Sequence, residues 1–393
     1  MVKAMGNDIE FVISILPYFI VLFSYSILSL TSYVSKSGVF FYLAILIIIL
    51  FVGFKDIMSP DFERYAYNYE NIESFGFDAL EPSFIIISLF LKSFGFDYYA
   101  LFFIYAFLTI LFILLGIRKF SKHYAIEMLL YLLVPGFFLN MFVEMRQSLA
   151  VAIVFYAVGL ILNKKRCGYF FAFLSIITHY SAMFFWLIFI IFKKFFSKKY
   201  FLWFYVISLV ASLILVIIFR LDLAFFNFLF IIFNSMTSFL PFLQKYLSYL
   251  ALVISGEVSQ VQFQLIKNIF YILNTLFLLY VLRYVIKENN NIPMADLKKY
   301  NYLINFLTVG TIILNISFYV AEVSRLAYYF LIFQIVLIPN IILKIPNLYI
   351  RYLCFIIILF VYISVFIKGL FYYSEEWQDY IFFNYRNILF ERF

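Results

Sequence analysis

The sequence predicts an all-α, polytopic transmembrane helix bundle. Apolar residues make up 66% of the chain and its mean hydropathy is +1.02. Charged residues are only 13%, against roughly 25% in soluble domains. Long apolar runs recur from Phe11 to Leu370, so residues 1–393 read as one integral membrane domain. About 11–12 membrane helices fit this length, with short, re-entrant or interfacial helices on the outer face. The net charge of +8 does not imply nucleic acid, because the basic residues punctuate hydrophobic runs instead of sharing a polar face. Cys167 and Cys354 fall near ends expected in the cytoplasm and should stay reduced.

Orientation follows from the basic clusters, since cytoplasmic loops accumulate Lys and Arg. These clusters are Arg118/Lys119/Lys122, Lys164/Lys165/Arg166, Lys193/Lys194/Lys198/Lys199 and Arg283/Lys287/Lys298/Lys299. With all of them inside, the N-terminus is outside. A first helix at 11–33 is too long for a signal-peptide core and is expected to be retained. After a turn at Lys36, a second helix at 39–54 leads back out. Residues 55–98 then form an external acidic and aromatic loop with a short helix. It carries Asp56, Asp61, Glu63, Glu70, Glu73, Asp78 and Glu81, together with Tyr65, Tyr67 and Tyr69. Its apolar piece at 83–94 is too short to span, so it lies at the interface or re-enters.

Spans are expected next at 99–117, 125–140 and 148–162. Residues 169–192 could make one ordinary span, but that would place Lys193, Lys194, Lys198 and Lys199 outside. Two short helices hinged near His179 keep them inside, and half-helices are tolerated where they line a protein cavity. A span at 200–219 leads to residues 221–261, an external interfacial segment too apolar to float in water; a transmembrane hairpin there would keep the same parity. Helices at 264–286 and 300–320 flank an inside loop. Glu322 and Arg325 emerge outside, and helices at 326–343 and 351–370 lead to an external tail. Most acidic residues then collect outside, which suggests an external function. The sequence has no internal repeat, Gly-rich phosphate loop, HExxH or Cys/His cluster, so neither a metal nor a cofactor is expected.

A charge at a membrane-helix centre costs about 2.5–3.5 kcal/mol, so Glu144, Arg146 and His179 need a reason to sit among apolar runs. The predicted topology gathers Asp61, Glu81, Arg146, His179, Glu322 and Arg325 on the outer face. Two arginines, each with a planar donor fork, could hold a diphosphate without a metal. A carboxylate or a neutral imidazole beside them could take a hydroxyl proton. Each residue also has a plainer reading. Arg146 could be a snorkelling anchor, His179 a helix-breaking cap, and Asp61 and Glu81 solvating charges of an external loop. Tyr65 and Tyr69 could be interfacial aromatics, and Glu322 and Arg325 a pair on one helix face.

The motifs Asp61-Phe62-x-x-Tyr65-x-x-x-Tyr69, Glu81-Pro82-Ser83-Phe84, Arg146-Gln147-Ser148-Leu149-Ala150, Thr178-His179-Tyr180-Ser181-Ala182 and Arg325-x-x-Tyr328-Tyr329-Phe330 follow one another along the chain. Their order resembles the EpsG family, which is similar to the Wzy-type polymerases of O-antigens, capsules and exopolysaccharides. The chain departs from that pattern in carrying Lys55 and Ser59-Pro60 where an arginine and a Gly-Thr commonly precede the aspartate.

The resemblance implies a membrane glycosyltransferase that joins undecaprenyl-diphosphate-linked oligosaccharide repeat units with inversion, and the absent metal-ligand cluster together with the two arginines makes a metal-independent reaction the expectation. It implies catalytic roles for Asp61, Glu81, Arg146, His179 and Arg325, with Arg146 and Arg325 on the diphosphate. Substrate binding falls to Tyr65, Tyr69, Arg146, Glu322, Arg325 and Tyr328. The implied partners are the lipid-linked oligosaccharides, membrane lipids and a chain-length regulator. The implied location is the bacterial cytoplasmic membrane, with the active site facing the periplasm. The rival readings are a ligase of finished polysaccharide and a lipid-linked oligosaccharide transporter or flippase.

Overall fold

Helices follow the apolar runs of the sequence in a computed structural model that describes residues 2–56, 60–76, 79–219, 261–288, 293–317 and 324–376, scattered positions between 227 and 251, and residues 385, 387 and 388. Among the described residues, six helices are long and apolar enough to cross a membrane: Ile15–Ser35, Tyr98–Phe120, Met145–Leu162, Lys267–Glu288, Arg325–Ile342 and Leu348–Leu370. A bent pair, Tyr124–Leu133 with Pro135–Val143, makes a seventh if it counts as one span. Shorter apolar helices occupy Gly38–Gly53, Pro82–Ser93, Cys167–Thr178, Ala182–Ile191 and Leu202–Ile214. The chain is therefore an all-α, polytopic helix bundle. The segment at 221–261 lies almost entirely outside the described residues, and Glu322 lies outside them as well.

The chain divides into two compact units. The first comprises Met1–His179 with Cys354–Phe393. It contains α1 (Val2–Ser35), α2 (Gly38–Gly53), α3 (Pro60–Glu70), α4 (Pro82–Ser93) and α5 (Tyr98–Phe120). The expected span at 125–140 is instead broken into α6 (Tyr124–Leu133) and the single turns α7 (Pro135–Phe138) and α8 (Asn140–Val143), with an 85° bend. Pro135 accounts for the break, because it has no amide to donate and its ring clashes with the preceding turn. The long helix α9 (Met145–Leu162) and the short α10 (Cys167–Thr178) follow.

Two glycines allow α5 and α9 to pack closely. A Cβ at Gly116 would stand 2.3 Å from Phe155 Cδ1, and one at Gly159 would stand 2.7 Å from Lys119 Cβ. Without a hydrophobic drive between helices in lipid, such small residues bring backbones together and gain dispersion contact. Within residues 55–98, α3 and α4 are helices packed into the interior. Phe62, Tyr65, Tyr69, Phe84 and Leu91 join Phe102, Tyr105, Met145 and Leu149 in one buried core. Phe62 stacks on Phe102 at 4.4 Å. That core fixes α3 and α4 to α5 and α9, and the site is built on it.

The second unit, Tyr180–Leu353, begins with α11 (Ala182–Ile191), the turn α12 (Lys193–Phe196) and α13 (Leu202–Phe219). Further on are α14 (Val261–Glu288), α15 (Met294–Ile316), a 3₁₀ turn at Arg325–Ala327, α16 (Tyr328–Leu331) and α17 (Gln334–Ile342). A last helix, α18 (Leu348–Glu376), returns the chain to the first unit. Paired polar side chains tie the interior of the second unit: Tyr205 to Asn305 at 2.9 Å, Asn315 to Ser212 at 2.8 Å, and Asn274 to Gln334 at 3.0 Å. Such bonds are worth about 0.6 kcal/mol each on average in membrane bundles, so they fix pairing more than they stabilise.

Candidate active site

The break between α10 and α11 leaves His179 in extended backbone, φ −155° and ψ 120°, at the end of α10. The two short helices expected around His179 are present as Cys167–Thr178 and Ala182–Ile191. Released from helical geometry, the imidazole places Nδ1 2.7 Å from Glu81 Oε1. Glu81 precedes α4, whose first residue is Pro82, and its side chain makes no capping bond to its own helix. The carboxylate is therefore free to reach elsewhere. Its other oxygen, Oε2, accepts from Arg146 Nη1. Arg146 stands in the first turn of α9.

One carboxylate thus holds an arginine and a histidine that come from sequence positions 65 and 98 residues away. The Glu81 and Arg146 side chains are only 10% and 11% exposed, so both are largely withdrawn from the surface. Aromatic rings complete the enclosure. The guanidinium carbon lies 5.0 Å from the Tyr65 ring centre and 5.4 Å from that of Phe84, within cation–π range.

Burial raises the Glu81 carboxyl, but Arg146 and the His179 hydrogen bond outweigh it and hold the group down at about 2. Glu81 is therefore an ionised acceptor, and the proton in its bond to His179 belongs to Nδ1. In neutral His179 the lone pair then falls on Nε2. This is how an acidic partner selects the tautomer of a catalytic histidine.

The other expected residues are placed differently. Asp61 pairs with Arg64 of its own helix at 2.8 Å and is a quarter exposed. Tyr69 is buried and donates to the Phe96 carbonyl at 2.7 Å, so it ties α3 to the turn before α5. In the second unit, Arg325 opens the 3₁₀ turn and is half-buried. Tyr328 is buried and accepts from Lys267 Nζ at 2.8 Å, with the ammonium 5.0 Å from its ring centre. Tyr329 bonds Ser181 at 2.8 Å, which links two of the sequence motifs inside that unit. Among the described residues no group of three or more His, Cys, Asp or Glu could hold a metal ion.

Phe84, Lys55 and Lys267 were not assigned from the sequence. Phe84 sat inside a recognised motif, and Lys267 was a lone lysine in an apolar run, which is itself a signal. Lys55, expected in an external loop, is buried, at 2% exposure.

These features define a multi-pass membrane protein that carries, among the described residues, a buried Arg–Glu–His cluster. A site of this composition suits proton transfer beside an anion. The chain belongs to the EpsG family, whose model matches residues 38–387. That membership supports a polysaccharide-polymerase type of function. No curated protein and no solved structure matches the chain.

Proposed function

We propose that the protein joins undecaprenyl-diphosphate-linked oligosaccharide repeat units by glycosyl transfer at the outer face of the bacterial cytoplasmic membrane. The observation that carries this reading is the Glu81 clamp on Arg146 and His179. The acceptor hydroxyl oxygen attacks the anomeric carbon of the growing glycan while the bond from that carbon to the diphosphate breaks. His179 Nε2 takes the hydroxyl proton, and the bonding electron pair leaves with the diphosphate. Attack on the face opposite the leaving group inverts the anomeric centre.

Glu81 itself is a poor base, because its carboxyl is held at about 2 and both oxygens are engaged. Its role is to orient the imidazole and to fix the guanidinium. Arg146 gives one nitrogen to Glu81 and retains further donors of its fork for phosphate oxygens. For Arg325, Glu322 and Tyr328, a role in lipid-diphosphate binding rests on the family resemblance. Asp61 and Tyr69 contribute to the order of α3, and Tyr65 to the guanidinium stack.

The test is a purified protein in lipid vesicles given undecaprenyl-diphosphate-linked oligosaccharide. A ladder of products longer than one repeat is expected. A single transfer to a different acceptor would indicate a ligase, and movement of the lipid across the bilayer without elongation would indicate a transporter. Either result overturns the proposal.

A further inference from the structure

Behind the Arg146 turn lies a buried lysine that the proposed chemistry does not use. Lys55 Nζ donates to the Met141 carbonyl at 2.9 Å and to the Phe142 carbonyl. It also lies 5.2 Å from the Phe102 ring centre and 5.5 Å from that of Phe142. Met141 and Phe142 belong to α8, a single turn that ends where the backbone changes course at Glu144, φ −110° and ψ 56°. The Glu144 amide takes the Asn140 carbonyl at 2.7 Å. The next two carbonyls point out of a helix that has stopped, and the last carbonyls of any helix need outside donors. A buried carbonyl left without one costs about 1–3 kcal/mol. Lys55 supplies both, and Arg146 follows two residues beyond the break.

Lys55 is in turn fixed from behind. It follows the end of α2, where the Phe54 amide closes the last turn on the Leu50 carbonyl and further donors arrive from outside the helix. Tyr385 donates to the Phe51 carbonyl at 2.6 Å, Asn387 to the Leu50 carbonyl at 3.4 Å, and the Ile388 amide to the Phe54 carbonyl at 3.1 Å. Lys55 itself forms an antiparallel bridge with Asn387. The Tyr385 ring stacks on Phe51 at 4.1 Å and meets the edge of Phe142 at 6.4 Å. Residues more than 330 positions away in sequence therefore cap α2 and hold the backbone of Lys55.

We infer that Lys55 is a positioning residue for Arg146, acting through the carbonyls of Met141 and Phe142, and that Tyr385, Asn387 and Ile388 form the strap that keeps Lys55 in place. The bond set tolerates loss of the lysine charge. Burial pushes the ammonium down to about 7 against the opposing pull of Asp61, and a neutral amine still offers two N–H donors for two carbonyls. The inference about catalysis rests on the proposed function, whereas the mechanical coupling does not.

The test compares wild type, Lys55→Met, Lys55→Arg and Asn387→Ala as full chains in lipid nanodiscs. The first readout is hydrogen exchange over residues 140–148, which include the Glu144 amide bonded to Asn140 and the Ser148 amide bonded to Glu144. Lys55→Met and Asn387→Ala should each raise exchange there about tenfold or more, with residues 294–316 of the other unit unchanged. Lys55→Arg should restore protection, since a guanidinium can donate to both carbonyls.

The second readout is glycan elongation from undecaprenyl-diphosphate-linked oligosaccharide. Displacing a catalytic group by about 1 Å can cost about a hundredfold, so kcat should fall about ten- to a hundredfold in Lys55→Met while KM stays within about threefold. Asn387→Ala leaves the lysine in place and guards against a fold that collapses without it. Unchanged exchange over 140–148 in Asn387→Ala and Lys55→Met would overturn the inference. A raised KM at unchanged kcat would also overturn it, by making Lys55 a substrate ligand. If wild type forms no ladder while exchange responds as expected, the proposed function fails and the positioning role stands.

Discussion

A buried ion pair can be a structural tie or part of a catalytic centre, and replacing both partners at once separates the two. Glu81 and Arg146 are 10% and 11% exposed at the side chain, so removing either one strands an unscreened charge. Breaking such a pair from one side costs about 3–5 kcal/mol, whereas exchanging both partners for neutral groups of similar volume is often neutral or stabilising. Glu81→Gln keeps an acceptor oxygen for His179 Nδ1, and Arg146→Met keeps an unbranched stem between the Tyr65 and Phe84 rings. Each single variant should therefore lose thermal stability and membrane abundance. The double variant Glu81→Gln/Arg146→Met should regain most of both.

Activity should behave differently. Loss of one electrostatic donor to a developing charge costs about 2.7–4 kcal/mol of barrier, or roughly a hundred- to a thousandfold in rate. Elongation of lipid-linked oligosaccharide should therefore be abolished or nearly so in all three variants, including the stable double. The assay is the product ladder, run beside thermal unfolding of the same preparation. A double variant that is stable and elongates within about tenfold of the parent rate would refute the reasoning and reduce the pair to a structural tie.

Arg146→Lys should fail nearly as completely as Arg146→Ala, because lysine supplies charge and stem but not the planar fork that meets Glu81, two rings and a phosphate together; normal abundance with near-parent elongation would count against this. The pH dependence of stability has a definite sign. Glu81 is lowered from its ordinary 4.5 to about 2, so the folded state binds fewer protons there than the unfolded state, and the stabilisation is fully present above 4.5 and lost as pH falls towards about 2. The difference in thermal midpoint between wild type and Glu81→Gln should be constant from pH 5 to 8 and shrink below 4.5; a difference that already changes between pH 6 and 8 would assign the titration to another group. Elongation should survive chelation of divalent ions, because the proposed chemistry uses the Arg146 guanidinium in place of a metal ion; loss on chelation with rescue by one divalent ion would overturn the metal-free mechanism.

The helix bundle was readable because membrane spans leave a long apolar signal that needs no knowledge of packing. The break at Pro135 was not placed, since the apolar run continues through it and only the proline marks the bend. Motif order picks out Asp61, Glu81, Arg146 and His179 on equal terms. The structure separates them. Asp61 faces a helical neighbour at i+3 and stays partly exposed, whereas Glu81 turns inward. Glu81 stands at the N-cap of α4, immediately before Pro82, in extended backbone, and its carboxylate makes no capping bond. Lys55 shows the opposite failure: a charge next to an acidic segment looks solvated, and its burial is set by carbonyls that come from positions 86 and 87 residues away. No local pattern encodes such a partner.

The position of Arg146 adds a reason to expect an anion at this site. It stands in the first turn of α9, where the helix dipole disfavours a cation by about 0.3–1 kcal/mol at exposed sites and by more where partly buried. Glu81 offsets that penalty with a carboxylate that also stands at the N-terminus of α4. A helix N-terminus and a guanidinium together favour any further negative charge brought close. In the proposed reaction that charge grows on the diphosphate as its bond to the sugar breaks, so the interaction is stronger in the transition state than with the bound lipid. Only such a difference accelerates a reaction. An arginine serving as a membrane anchor would gain nothing from a helix N-terminus and would be better placed at a C-terminal turn. Its actual position, paired but still short of negative charge, is the one that a departing diphosphate would complete.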